Sequence, residues 1–183
     1  QGKTTAQYIT FKDLRFSSTG AFAEVIGIQG DFLRFENITA TGNNSLTSIS
    51  GNVVLVNSAA NGAVFTGGEY HDPGRDVSGG FYSADGYPFY ITGTNTTVTR
   101  TKIHNARHSS CSASGCAPSG TVISYNQIYD VCQTLNTCAG ILLGTGTNQL
   151  ATGNVLHDIT GTGTNIHGIG TGYGATNVLI YNN

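Results

Sequence analysis

Apolar residues in this chain alternate with polar ones over runs of only three to five positions before Gly, Asn or Asp interrupts them. That is the pattern of short, half-buried strands. Phe32, Phe35 and Ile38 in DFLRFENIT keep an apolar side across a bend. Few segments longer than ten residues hold the helical spacing, so almost no helix is predicted. The runs also recur. Slid by 28 residues, TVISYNQIYD places Val122, Asn126, Ile128, Tyr129 and Asp130 on Leu150, Asn154, Leu156, His157 and Asp158. A second slide places Leu150 and Asn154 on Val178 and Asn182, Gly140-Ile141 on Gly168-Ile169, and the turn 144–148 on 172–176. Followed backwards, an apolar anchor recurs at Leu14, Ile38, Tyr70, Ile103, Ile128 and Leu156, with spacings of 24, 32, 33, 25 and 28.

Self-similarity at such a period predicts a stacked solenoid, and the unequal spacings place inserted loops at one point of each coil. We expect an all-β single domain over 1–183, a parallel β-helix of six to seven coils of 24–33 residues. Each coil carries three short strands, illustrated by 140–143, 149–152 and 155–158. The bend between the last two falls at Asn154, aligned with Asn126 and Asn182. Asn tolerates a left-handed backbone and can hydrogen-bond its counterpart one coil away. Coils stacked at about 4.8 Å form parallel ladders whose inward Val, Ile, Leu and Phe build one continuous core.

The segments AGILLGTGTNQLATGNVLHDIT, HGIGTGYGATNVLIYNN and TVISYNQIYD resemble the repeats of the pectin-lyase-like superfamily of right-handed parallel β-helices. That family alternates a Gly-Ile strand, a Gly/Thr/Asn turn, an aliphatic strand and an Asn bend. The resemblance implies the right-handed winding. It also implies a choice among polysaccharide lyases, hydrolases, epimerases, tailspikes, adhesins and surface proteins, with Ca²⁺ as the ion a lyase would use. The motif marks the fold and does not choose among them.

Composition narrows the classes. Only 10% of residues are charged and the net charge is -2, so no electrostatic footprint for nucleic acid is present. No run reaches the roughly 20 apolar residues of a membrane helix. The four cysteines fall in two local pairs, Cys111 with Cys116 and Cys132 with Cys138, each bracketing a turn-rich segment. Local disulfides are preferred to a zinc site, because neither pair has C-x2-C spacing; no metal ligand set is read from the sequence. Disulfides place the protein outside the cytosol, extracellular or at the cell surface. Asn37, Asn43 and Asn95 head glycosylation sequons.

Candidate chemistry falls in two places. After the anchors comes an outward column read as Arg15, Thr39, His71, His104, Tyr129 and His157, followed by Phe16, Ala40, Asp72, Asn105, Asp130 and Asp158. The pairs His71-Asp72, His104-Asn105, Tyr129-Asp130 and His157-Asp158 thus form a polar stripe, either a sugar-binding rail or a row of strand-end caps. Adjacent strand residues point to opposite sides, so no pair is by itself a dyad. The second place is the loop after each third strand, where Arg75, Asp76, Tyr82, Asp85, Tyr87, Lys102, Arg107 and His108 cluster. A lyase needs a cation for the uronate carboxylate and a base for its α-proton, roles that Arg107, His108, Lys102, Tyr87 and Arg75 would fill. His167-Gly168 and the pair Asp130 and Asp158 are weaker hydrolase signals. Both ends read as open, since the last coil's third strand would begin at about 183 and no capping helix precedes Tyr8. The chain is then either part of a longer polypeptide or self-associates end to end. Three readings follow: a secreted structural or surface-assembly solenoid, preferred because no complete catalytic set appears; a polysaccharide-active enzyme, foremost a lyase; and a glycan-binding adhesin.

Overall fold

The computed structural model describes residues 7–18, 24–43, 51–73, 86–106, 118–133, 137–161, 165–172 and 174–183. Sixteen strands follow one another with no helix among the described residues. They are β1 (Thr10–Lys12), β2 (Arg15–Ser17), β3 (Glu24–Ile28), β4 (Arg34–Thr41), β5 (Asn52–Val56), β6 (Val64–His71), β7 (Phe89–Ile91) and β8 (Thr97–Thr99). Then come β9 (Lys102–His104), β10 (Val122–Ser124), β11 (Gln127–Val131), β12 (Thr137–Leu143), β13 (Thr147–Thr152), β14 (Val155–Ile159), β15 (Asn165–Thr171) and β16 (Thr176–Tyr181).

Every pairing between them is parallel, and the pairings define three faces of an all-β solenoid. The first face holds β3-β5-β7 and, separately, β12-β15. The second runs β1-β4-β6-β8-β10-β13-β16. The third runs β2-β4-β6-β9-β11-β14, because β4 and β6 are long enough to bend round a corner and serve two faces. From β2 to β14 the chain winds through about five turns. The count is slightly below the six to seven expected, because the outermost coils are partial.

The inward columns explain why these residues pack as coils. On the second face Phe11, Phe35 and Phe65 stack at 5.0 Å, and Phe89 meets Phe65 edge-on at 5.1 Å. The column continues through Val98, Ile123 and Ala151, all at most 3% exposed. Fully burying such a side chain contributes about 1.5–3 kcal/mol, and stacking repeats the gain at each level.

Register corrects three expectations. Tyr70, Ile103, Ile128 and Leu156 do share one column, but below Tyr70 stand Ala40 and then Phe16. Leu14 and Ile38 lie two residues earlier, in the corner column that continues through Gly68, Thr101, Asn126 and Asn154. At this corner Gly68 has φ 85°, and a Cβ there would lie 2.0 Å from the Ile38 carbonyl oxygen, so the coil above can approach only over glycine.

The repeat of 28 also lengthens at its last step. Leu150 pairs with Leu179, and the Asn154 amide and side chain bond Asn183, because the turn after Gly172 has one residue more than its counterpart after Gly144. Finally, the left-handed residue is the one before the corner position, which is held by Thr101, Asn126, Asn154 and Asn183: Arg100, Tyr125, Gly153 and Asn182 have φ of 54°, 56°, 65° and 55°. The asparagines serve as a ladder, buried at Asn126 and Asn154 and exposed at Asn183. Asn126 Nδ2 donates to Asn154 Oδ1, and Asn154 Nδ2 to Asn183 Oδ1.

Candidate functional site: the ring stack on the third face

Strand alternation sends residues i and i+2 of each third-face strand outward. On β6 these are Glu69 and His71; on β9, Lys102 and His104; on β11, Gln127 and Tyr129; on β14, Val155 and His157. Below His71 the register puts Thr41 and then Ser17, correcting the expected Thr39 and Arg15, which lie under Glu69.

The rings stack in series. His71 lies 4.8 Å from His104, His104 4.6 Å from Tyr129, and Tyr129 5.1 Å from His157, all within 10° of parallel. The strand spacing sets these distances, so each ring covers its neighbour's face and presents an edge outward.

The residue after each ring has a left-handed backbone: Asp72, Asn105, Asp130 and Asp158 have φ of 54°, 53°, 50° and 52°. Strict alternation would separate neighbours, but this twist brings them together. His71 Nδ1 lies 2.7 Å from Asp72 Oδ2, and His157 Nδ1 2.8 Å from Asp158 Oδ2. Asn105 Nδ2 donates to Asp72 Oδ1, and Gln133 Nε2 donates to Asn105 Oδ1 and to the Asp130 carbonyl. Thr41 Oγ1 is 3.0 Å from His71 Nε2, and Glu69 Oε1 is 2.8 Å from His104 Nε2.

Electrostatics follow these contacts. The hydrogen bond to Asp72 raises the His71 pKa above its ordinary value, against the opposing effect of burial. The bond from His104 lowers that of Glu69. Burial, then the charges of Glu69 and Asp130, raise that of Tyr129.

Of the lyase candidates, Lys102 stands exposed on the third face, directly over Glu69. Tyr87 is interior, 1% exposed, with its backbone N–H donating to Asn52 Oδ1, and so lines no groove. Arg75, Arg107 and His108, like Asp76, Tyr82 and Asp85, lie outside the described residues. His167 is exposed on the first face, where it pairs with Ala139.

Cys132 and Cys138 form a disulfide with both residues buried, whereas Cys111 and Cys116 lie outside the described residues. The Asn37 and Asn95 side chains are engaged at left-handed corners, donating Nδ2 to Asp13 Oδ1 and Asn61 Oδ1. Asn43 is described, but the Ser45 of its sequon is not.

The sequence reading missed Glu69. His71, His104 and Glu69 bring three ligand atoms within 4.8 Å of one another. The available signal was the Glu-x-His spacing on one strand, which period two places on one face.

Comparison with known proteins finds no match: no family model, no curated protein and no solved structure is similar to the chain. Fold and face together define its class as a parallel β-solenoid with an aromatic and imidazole stack along one face.

Proposed function

We propose that the protein is a structural β-solenoid of an extracellular or cell-surface assembly, a rod that stacks coil on coil. The observation that carries this reading is the third-face stack. A sugar-binding rail needs open ring faces, but here the faces between successive rings are covered, and many of the polar edges are already hydrogen-bonded within the solenoid. Side chains that look reactive in sequence thus serve to brace one coil on the next.

Two further observations support the reading. The Cys132–Cys138 disulfide suits an oxidising compartment. The outer strand β16 pairs only with β13 among the described residues, and its Leu179, Ile180 and Tyr181 are 57%, 44% and 49% exposed. An edge of that kind can pair with a further parallel coil, whether a continuation of the same polypeptide or a second copy. The fold is also compatible with the pectin-lyase-like superfamily, whose repeats the sequence resembles, but no observation among the described residues favours catalysis.

Electron microscopy and sedimentation of the full chain at neutral pH test the proposal. Rods that lengthen with concentration, with an axial repeat of about 30 Å from strand spacing, are the expected result. Compact monomers that generate unsaturated sugar ends from acidic polysaccharides would overturn it in favour of a lyase.

A further inference from the structure

We propose that Glu69, His71 and His104 form a site for one divalent transition-metal ion of the zinc class, joining two successive coils. The site goes beyond the structural reading and does not depend on it. Period two places Glu69 and His71 on the same outward side of β6, and the register sets His104 of β9 directly over His71. The three ligand atoms lie within 4.8 Å of one another.

Two imidazoles and one carboxylate are a borderline donor set, suited to zinc, copper or nickel. Calcium and magnesium prefer oxygen ligands alone. The site therefore differs in kind from a calcium site on a polysaccharide lyase.

The surroundings prepare the ligands. Asp72 Oδ2, 2.7 Å from His71 Nδ1, accepts a hydrogen bond from a proton held on that nitrogen, which leaves the lone pair on Nε2. The Thr41 hydroxyl, at 3.0 Å, now donates to that lone pair. A carboxylate behind the remote nitrogen is the usual support of a ligating histidine, because it fixes the tautomer and raises basicity. Asp72 is itself held by Asn105 Nδ2, so the support is anchored to the same two coils. On the other ligand pair, His104 Nε2 and Glu69 Oε1 stand 2.8 Å apart with one proton between them. A metal ion joins the same two atoms and displaces that proton, which passes to His104 Nδ1 when the ring is neutral and to solvent when it is an imidazolium.

Bonds of about 2.0–2.1 Å in a tetrahedron put ligand atoms about 3.3 Å apart. The His71 and His104 rings, 4.8 Å apart in the stack, must tilt towards each other on binding. The His71 and His104 side chains are 18% and 17% exposed and that of Glu69 is 40% exposed. An ion can therefore enter from solvent and keep water in its fourth position.

The test titrates zinc chloride into the metal-stripped full chain, prepared without added histidines, at neutral pH. Calorimetry and the thermal midpoint follow binding. One ion per chain is expected, with a midpoint that climbs as zinc is added. Glu69→Gln and His104→Gln should each weaken binding at least tenfold. Asp72→Asn, which touches no ion, should weaken it by about 10–100-fold. His157→Gln, two coils from the site, should leave affinity unchanged. Cobalt(II) should give the visible absorption of a tetrahedral nitrogen and oxygen site, lost in the same variants. The proposal is overturned if the parent chain shows neither heat nor a midpoint shift. It is equally overturned if the Glu69 and His104 variants bind zinc as the parent does. Should His104→Gln not fold, Glu69→Gln, a near-isosteric change at a part-exposed side chain, decides alone.

Discussion

Tyr70 stands in an inward column whose other members are Phe16, Ala40, Ile103, Ile128 and Leu156, and it alone brings a polar atom into that column. Its ring meets Phe65 edge-on at 6.1 Å and Phe89 at 4.6 Å, but its buried hydroxyl has no hydrogen-bond partner among the described residues. Such a group costs about 1–3 kcal/mol, and burial also pushes its pKa well above the ordinary value. Tyr70→Phe keeps the ring contacts and removes the orphan oxygen, so it should stabilise the fold by about 1 kcal/mol. Urea titration would read this as a higher midpoint at unchanged slope. The sign with pH is fixed as well. An unfolded tyrosine ionises near pH 10 while the folded one resists, so the parent's stability is whole below that value and falls above it. One group contributes a slope of about 1.4 kcal/mol per pH unit there, and the Phe variant should lack it. Equal alkaline slopes in the two proteins would show that Tyr70 is not the group responsible.

The corner ladder is the element that made the fold legible, and also the one that blurred it. Asn126 Oδ1 accepts from the Thr101 amide at 3.0 Å and its hydroxyl at 2.8 Å, while Nδ2 donates to the Val98 carbonyl and Asn154 Oδ1, each at 3.0 Å. Asn126→Ala leaves several of these buried groups unpaired and should cost about 3 kcal/mol. Asn183→Ala, at an exposed rung, should cost about 1 kcal/mol or less. Equal losses in chemical denaturation would contradict the ladder's graded burial. Where the slot is Asn, the repeat could be read directly, and the strands of 121–158 were found in register. In the early coils the same slot holds Leu14, Ile38 and Gly68, and the first two, being apolar, resemble core-strand positions in the sequence. Their role depends on a bend that no apolar pattern encodes. The stripe at His71, His104, Tyr129 and His157 was legible because it follows a recognisable strand end. Glu69 was not, since one outward acid on a strand looks like any solvated side chain until register places it beside His104. The left-handed twist at Asp72, which turns a neighbour into a partner, was hidden for the same reason.

At the scale of the whole molecule, each coil touches only the coils beside it, so stability is a sum of local terms and nearest-neighbour contacts. Those contacts are richest in the middle. Ile38, Phe65 and Ile128 are 0% exposed and Ile103 2%, whereas Leu179 is 57% exposed and Tyr8 75%. A two-state collapse of all coils together is therefore not expected. Native-state hydrogen exchange on the full chain should be fastest in β1 and β16, with the slowest amides in β6, β9 and β11. Uniform protection from β1 to β16 at every concentration would refute this nearest-neighbour picture. Concentration supplies a second axis for the same experiment. A solenoid that stays single keeps its gradient on dilution. One that stacks on a further copy gains parallel hydrogen bonds along the open edge of β16, so protection there should rise with protein concentration while β9 and β11 remain unchanged. Exchange that depends on concentration at the edge alone would identify that strand as the growing surface, because central coils already have both neighbours and have nothing to gain.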